Sequence, residues 1–362
     1  MGLGKRARNL PSGSNSNLFM DIIREQALPL LPAKSLFRFL AVCRDWKLNI
    51  SAPSFHHNQS LSCRGISGLF CQDSDNCIVF IPFHPISSGV PDPSLSFLPE
   101  PVDIRASSNG LLCCQGRNEN RYYYLCNPVT KEWKTLPKPT ARHGSEAALV
   151  LIFEPSLLNS VPEYKLICAF RSADFDDATE FDIYTSKNNT WNVSGELCFG
   201  ARKAALGSGV HVNGVVYWPV VSGGVLSFDL TKDRSQLLDS NYSEATDCLL
   251  GTFDGRLYKV YNHDDYVLVR VLVDIHKNTM PLVDSDIWET IHVVYHEHTD
   301  IPFDEEDFDS KVVAVRRDIL VVDCGNTLYS YDFENKETIP LSEPAEPYYK
   351  ICVPYVNSLV AL

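Results

Sequence analysis

Residues 126–133 read Cys126-Asn127-Pro128-Val129-Thr130-Lys131-Glu132-Trp133: an apolar run closes, turn-forming residues follow, and an aromatic residue opens the next run. The same order returns at Tyr184-Thr185-Ser186-Lys187-Asn188-Asn189-Thr190-Trp191, at Phe228-Asp229-Leu230-Thr231-Lys232-Asp233-Arg234 and at Tyr331-Asp332-Phe333-Glu334-Asn335-Lys336-Glu337-Thr338-Ile339. The units are 58 and 44 residues apart, then 103 over two steps. A period near the ~40–50 residues of a four-stranded blade, with many hairpins and little helix, reads as a β-propeller. About six blades fit between residues 63 and 362 at that period, with five or seven open and a pair of β-sandwiches as the alternative.

The surrounding texture agrees. From about Cys63 onward, short runs of Val, Ile, Leu, Tyr and Phe alternate with Gly, Asn, Asp and Pro. Candidate strands run over 77–82, 110–114, 122–127, 148–153, 164–170, 179–184, 209–212, 215–219, 225–229, 248–253, 256–261, 267–274, 311–316, 319–323 and 327–333. Asn213-Gly214, Asp254-Gly255 and Gly325-Asn326 are dipeptides that a two-residue hairpin requires, because its turn needs positive φ.

The chain has 362 residues, 44% hydrophobic and 11% aromatic, enough for a packed core. Its net charge of −13 argues against gripping nucleic acid or anionic membranes, where phosphates must be neutralised. The strongest apolar run, Ala147 to Phe153, stops at Glu154, short of a spanning helix. Met1 to Asn17 is basic but lacks the apolar centre of a secretory signal, so the expected location is cytoplasm and/or nucleus. Twelve cysteines, mostly in apolar surroundings such as Leu111-Leu112-Cys113-Cys114, read as buried free thiols. No Cys-x-x-Cys occurs, and Cys113 and Cys114 on a strand point to opposite faces, so structural zinc is not expected.

Charge divides the chain. Residues 1–50 hold eight basic and three acidic side chains, a net of +5, which leaves −18 for the rest. Such a reversal marks two modules with different partners. After a tail over 1–16, expected to be disordered, apolar residues at Leu18, Ile22, Ile23, Leu28, Leu31, Leu36, Phe37, Phe39, Leu40, Val42, Cys43 and Trp46 suit short helices. Pro29 and Pro32 interrupt them and Pro53 ends them. Helices this short cannot enclose a core alone, so part of their apolar stripe should dock on the body or on another protein.

Three pieces of the head, Leu31-Pro32-Ala33-Lys34-Ser35-Leu36, Val42-Cys43-Arg44-Asp45-Trp46 and Ile50-Ser51-Ala52-Pro53-Ser54-Phe55, resemble an F-box. The body resembles the plant F-box-associated domain, kelch-like and propeller-like, through Ser108-Asn109-Gly110-Leu111-Leu112-Cys113, Asn127 to Pro137, Glu163-Tyr164-Lys165-Leu166, Gly209 to Gly214 and the ending Tyr355 to Val360. The resemblance divides the chain into a three-helix F-box over 17–60 and an F-box-associated domain over 63–362. It implies a non-catalytic substrate receptor of a Skp–cullin–F-box ubiquitin ligase. The head would dock on a Skp-type adaptor, and through it on a cullin–RING ligase, while the propeller recruits an unidentified target protein. No cofactor is implied. Leu18, Ile22, Ile23, Leu31, Pro32, Leu36, Val42, Cys43 and Trp46 are the expected apolar anchors, with the basic residues steering encounter. Such families begin Leu-Pro-x-Asp, whereas Leu18 is followed here by Phe19-Met20-Asp21. One extra residue also falls around Ala27 to Leu30, for a short bulge at Pro29 to absorb.

Rival readings rest on other stretches. His292, His296 and His298 would share one face of a strand, as a metal site needs, though packing is the favoured reading. Asp300 to Asp309 is acidic but lacks the alternating ligands and glycine of a calcium loop, so it reads as a solvated blade insertion. No nucleophile elbow, phosphate loop or His-Glu-x-x-His is present. A propeller with lectin or enzyme activity and a non-degradative F-box scaffold are the alternatives.

Overall fold

The computed structural model describes residues 20–62, 65–84, 89–144, 147–154, 163–201, 209–220, 224–238, 248–273, 287–303, 310–315, 318–325, 327–343 and 348–362. The tail over 1–16 and Leu18 lie outside them, as do Asn326 and residues 304–309 of the acidic stretch.

The head is a chain of short helices. A π turn (Ile23–Ala27) runs into a 3-10 turn (Leu28–Leu30), followed by α1 (Ala33–Phe39), α2 (Arg44–Ile50) and α3 (Pro53–Ser62). In the π turn the Leu28 N–H bonds to the Ile23 carbonyl, five residues back. A π turn is how a helix takes in one extra residue, so the insertion is absorbed there, before Pro29 rather than at it. Pro29 then sits in the first positions of the 3-10 turn, where a missing N–H costs nothing. Pro53, read as a terminator, instead opens α3: the Phe55 and His56 N–H groups bond to the Ala52 carbonyl, and proline's fixed φ suits a first helical position.

Six antiparallel sheets follow, and the fold is a six-bladed β-propeller. The first sheet contains β1 (Gly68–Asp73) and β2 (Ile78–Pro82). The second is β3 (Val102–Ser108), β4 (Leu111–Gly116), β5 (Tyr123–Asn127) and β6 (Glu132–Thr135); the third is β7 (Ala148–Phe153), β8 (Tyr164–Arg171), β9 (Ala178–Thr185) and β10 (Thr190–Phe199). The fourth is β11 (Val210–Val212), β12 (Val215–Pro219), β13 (Val225–Asp229) and β14 (Arg234–Leu238); the fifth is β15 (Cys248–Phe253), β16 (Arg256–Asn262), β17 (Tyr266–Leu272) and β18 (Trp288–Tyr295). The sixth is β19 (Ser310–Val315), β20 (Ile319–Cys324), β21 (Thr327–Asp332) and β22 (Thr338–Pro340). The last strand, β23 (Tyr349–Tyr355), returns to pair with β1, so the first blade is built from both ends of the chain. Strands β3, β7, β11, β15, β19 and β23 neighbour one another in a ring.

The repeat that opened the sequence is one turn used four times, between the third and fourth strands of a blade. Each turn ends on a residue with positive φ: Lys131 (62°), Asn189 (54°), Asp233 (53°) and Lys336 (58°). In three of them that residue's N–H closes on a carbonyl four residues back, at Asn127, Thr185 and Asp332. Side-chain oxygens of Asn127, Asp229 and Asp332 accept from backbone N–H groups two residues on, the Asx geometry that favours these residues at turns. Asn213-Gly214 and Asp254-Gly255 have the expected positive φ between directly paired residues.

The apolar cores lie between blades. Leu111, Tyr123, Leu149, Tyr164 and Trp191 join the second and third blades, and Phe181 stacks on Phe228 at 4.4 Å between the third and fourth. Cys113 and Cys114 do face opposite ways, into two different clusters. All described cysteines are free thiols, but Cys43 and Cys77 are exposed, and Cys248 and Cys352 half-exposed, rather than buried.

Candidate functional site

The head is joined to the propeller by one continuous core. Leu28, Ala33, Leu36, Ile50 and Phe55 share a cluster with Phe70, Leu112, Tyr124, Tyr355 and Leu359 of the propeller. The Gln59 Oε1 accepts from the Leu359 N–H at 2.9 Å in the same interface. This is where the apolar stripe that the helices cannot bury alone is covered. A cavity of about 200 Å³ remains at the joint, lined by Leu36, Phe37, Leu40, Ile50, Ser51, His56, Thr130, Glu132 and Leu359. Burial pulls the His56 imidazole below its usual range, against the opposing effects of the Ile50 backbone and the Glu132 charge.

That joint sorts the expected anchors. Leu36 is completely buried against the propeller, so it is a core residue and is withdrawn from the surface set. Ile23, Leu31 and Trp46 pack partly against the same core, and Trp46 meets Phe39 edge-on at 5.1 Å. Pro32 is half-buried and precedes the first turn of α1. Cys43 is exposed and caps α2, its Sγ accepting from the Trp46 N–H at 3.5 Å. Ile22 (45% exposed) and Val42 (59%) are the expected anchors that face solvent most openly. Sequence reading missed Leu30 (64%) and Leu48 (63%), which are apolar and more exposed still. Exposed Arg38, Arg44 and Lys47 stand among them. Arg24 reaches Asp45 at 3.6 Å and Asp21 at 4.0 Å, tying the first helical segment to the start of α2.

The histidine cluster does not assemble. Strand β18 ends at Tyr295, and His296–His298 form a 3-10 turn, which removes the common face. His292 stacks on Phe333 at 4.2 Å and His296 on Phe303 at 3.8 Å. Among the described residues, no group of three His, Cys, Asp or Glu side chains is placed to hold a metal. A buried network unseen in the sequence joins three separate segments: His143 lies between the Tyr123 hydroxyl (3.1 Å) and the Asp182 carboxyl (2.9 Å). Trp191 and Phe170 wall it in.

A profile of the family described as "F-box associated beta propeller domain" matches residues 91–362, which takes in β3 to β23. The chain belongs to the plant F-box proteins with an F-box-associated propeller. Two Arabidopsis thaliana relatives show the range of similarity. F-box protein At5g49610 is 28% identical over 76% of this chain and 78% of its own length. F-box protein At5g07610 is 30% identical over 63% of this chain and 58% of its own length. Among solved structures, the computationally designed Ika8 protein aligns at 12% identity over 78% of this chain and 76% of that one, with a TM-score of 0.39. In this F-box protein the head and propeller thus have the architecture of a substrate receptor. Among the described residues no helix is long and apolar enough to cross a membrane.

Proposed function

We propose that this protein is the substrate-recognition subunit of a Skp–cullin–F-box ubiquitin ligase. Residues 17–60 dock on a Skp-type adaptor and the propeller over 63–362 holds a target. The protein itself makes and breaks no bond; it supplies proximity, raising the target's effective concentration beside the catalytic subunits. The observation that carries this reading is the division of the head: Leu36, Ile50 and Phe55 are spent on the propeller, while Ile22, Leu30, Val42 and Leu48 stay exposed beside basic side chains. Exposed apolar residues on a head of net positive charge suit an acidic partner with an apolar groove.

The test is capture of a purified Skp-type adaptor by the full-length protein. Wild type binds, and Val42→Asp with Leu48→Asp binds at least tenfold more weakly while keeping its fold. No binding by wild type, or unchanged binding by the double variant, overturns the reading.

A further inference from the structure

Closure of the propeller rests on β1 and β23, and two thiols face each other across that seam. Cys71 and Cys352 are direct register partners. Both belong to the same apolar cluster, with Leu69, Val321 and Leu328, so they project from the same face. Cross-strand partners on one face of an antiparallel pair have Cβ atoms only ~4.5–5.5 Å apart. Direct partners in an antiparallel pair have Cα atoms ~4.5 or ~5.5 Å apart, depending on the pair type. Both values lie inside the ~4.4–6.8 Å span of a disulfide.

A second thiol pair shows what is special about this one. Cys114 and Cys126 also share one cluster, but Cys114 is opposite Tyr124 and Cys126 opposite Leu112. Diagonal neighbours of this kind stand ~7–8 Å apart at Cα, beyond the reach of a disulfide without backbone movement. Both are also fully buried, whereas Cys352 is only partly buried.

We propose that Cys71 and Cys352 are a reversible oxidation site, at which a peroxide converts the two thiols into a disulfide that closes the propeller covalently. The Cys352 thiolate attacks the peroxide O–O bond, giving a sulfenic acid and hydroxide. The Cys71 sulfur then attacks the Cys352 sulfur, the S–O bond breaks, and the departing oxygen leaves as water with the Cys71 proton. Two thiols lose two protons and two electrons, and hydrogen peroxide is reduced to two waters. Burial, and then the contact with Cys352, push the Cys71 thiol well up, so Cys352 rather than Cys71 is the thiol that meets the peroxide first. A dithiol reductant reverses the reaction.

The full-length protein is treated with hydrogen peroxide, its remaining thiols are alkylated, and peptides are mapped without reduction. The expected result is a Cys71–Cys352 linked peptide that dithiothreitol removes. The oxidised protein should unfold at least about 3 °C higher than the reduced one, since the bond ties strands from opposite ends of the chain. Cys352→Ser should show neither the link nor the shift. Recovery of both cysteines as separately alkylated peptides overturns the proposal. So does linkage confined to the exposed Cys43 and Cys77, or linkage that forms only in denaturant. The peptide map of wild type decides the matter even if a variant fails to fold.

Discussion

The Asn127 carboxamide donates to the Val360 carbonyl at 2.7 Å, joining the second blade to the end of the chain. The same nitrogen donates to the Ser358 carbonyl at 2.9 Å, and Asn127 Oδ1 accepts from the Val129 N–H at 2.9 Å. One side chain thus shapes its own turn and anchors the segment after β23. Asn127→Asp replaces the donor with an oxygen facing two carbonyls. It should cost about 2–4 kcal/mol, the scale of buried polar groups left unmatched. Urea unfolding of the two proteins checks this, and a loss below about 1 kcal/mol contradicts the assignment.

Gly110 lies against the same segment. Its φ is +97°, and a Cβ there would stand 2.5 Å from the Ser358 Cβ. Gly110→Ala is therefore strained twice and should cost at least about 2 kcal/mol. Adding Ser358→Gly removes the collision but leaves the backbone strain, so thermal unfolding should show partial recovery. Strictly additive losses would mean the two sites do not touch.

Leu36 and Val42 belong to one apparent stripe and should behave oppositely. Leu36→Ala opens space in the joint core beside an existing cavity and should cost about 2–5 kcal/mol of stability. Val42→Ala, at a site 59% exposed, should change stability by less than about 0.5 kcal/mol and weaken capture of the adaptor instead. Paired unfolding and capture measurements separate the two roles.

That contrast shows where the sequence stops being readable. A leucine in a short amphipathic helix reads the same whether its cover is a propeller or a partner, because the cover is decided by residues far along the chain such as Leu359. A strand with both faces buried, such as β7, is a continuous apolar run and was legible to the residue. Outer strands were not: Glu132–Thr135 is almost wholly exposed, and Thr338–Pro340 hardly less so, which leaves no alternation to detect. Inner strand β3 escaped as well, since Asp103, Arg105 and two serines break its apolar pattern. The histidines pack, as favoured, and the shared face that spacing allowed does not form because β18 ends at Tyr295.

The repeated turns carry an acid sensitivity. The Thr231 hydroxyl first, then the Lys232 ammonium and nearby backbone N–H groups, hold the Asp229 carboxyl well below the usual carboxylate range. Backbone N–H groups of Asn335 and Glu334 lower Asp332 at the equivalent place. A carboxyl lowered by folding contributes stability above its unfolded value of about 3.9, and that contribution is lost as pH falls through the folded value. Wild type should therefore lose thermal stability between about pH 5 and pH 3. Asp229→Asn with Asp332→Asn keeps the turn acceptors but removes the titration, so its midpoint should fall less steeply over that range. Parallel pH profiles would exclude these turns as contributors.

His143 and Asp182 form a deeply buried polar pair, both side chains almost wholly buried and 2.9 Å apart. The imidazole meets Asp182 Oδ2, while Oδ1 has no hydrogen-bond partner among the described residues, so the carboxyl leans on His143. His143→Leu leaves the carboxyl in an aromatic pocket and should cost about 3–5 kcal/mol. Adding Asp182→Asn replaces that carboxyl with a neutral amide, so the double variant should be more stable than His143→Leu alone. The expected sign of the coupling is the test, because a network that merely fills space would lose more stability with each change. Chemical unfolding of wild type, both single variants and the double closes the cycle. A double variant less stable than His143→Leu would remove the pair's electrostatic role.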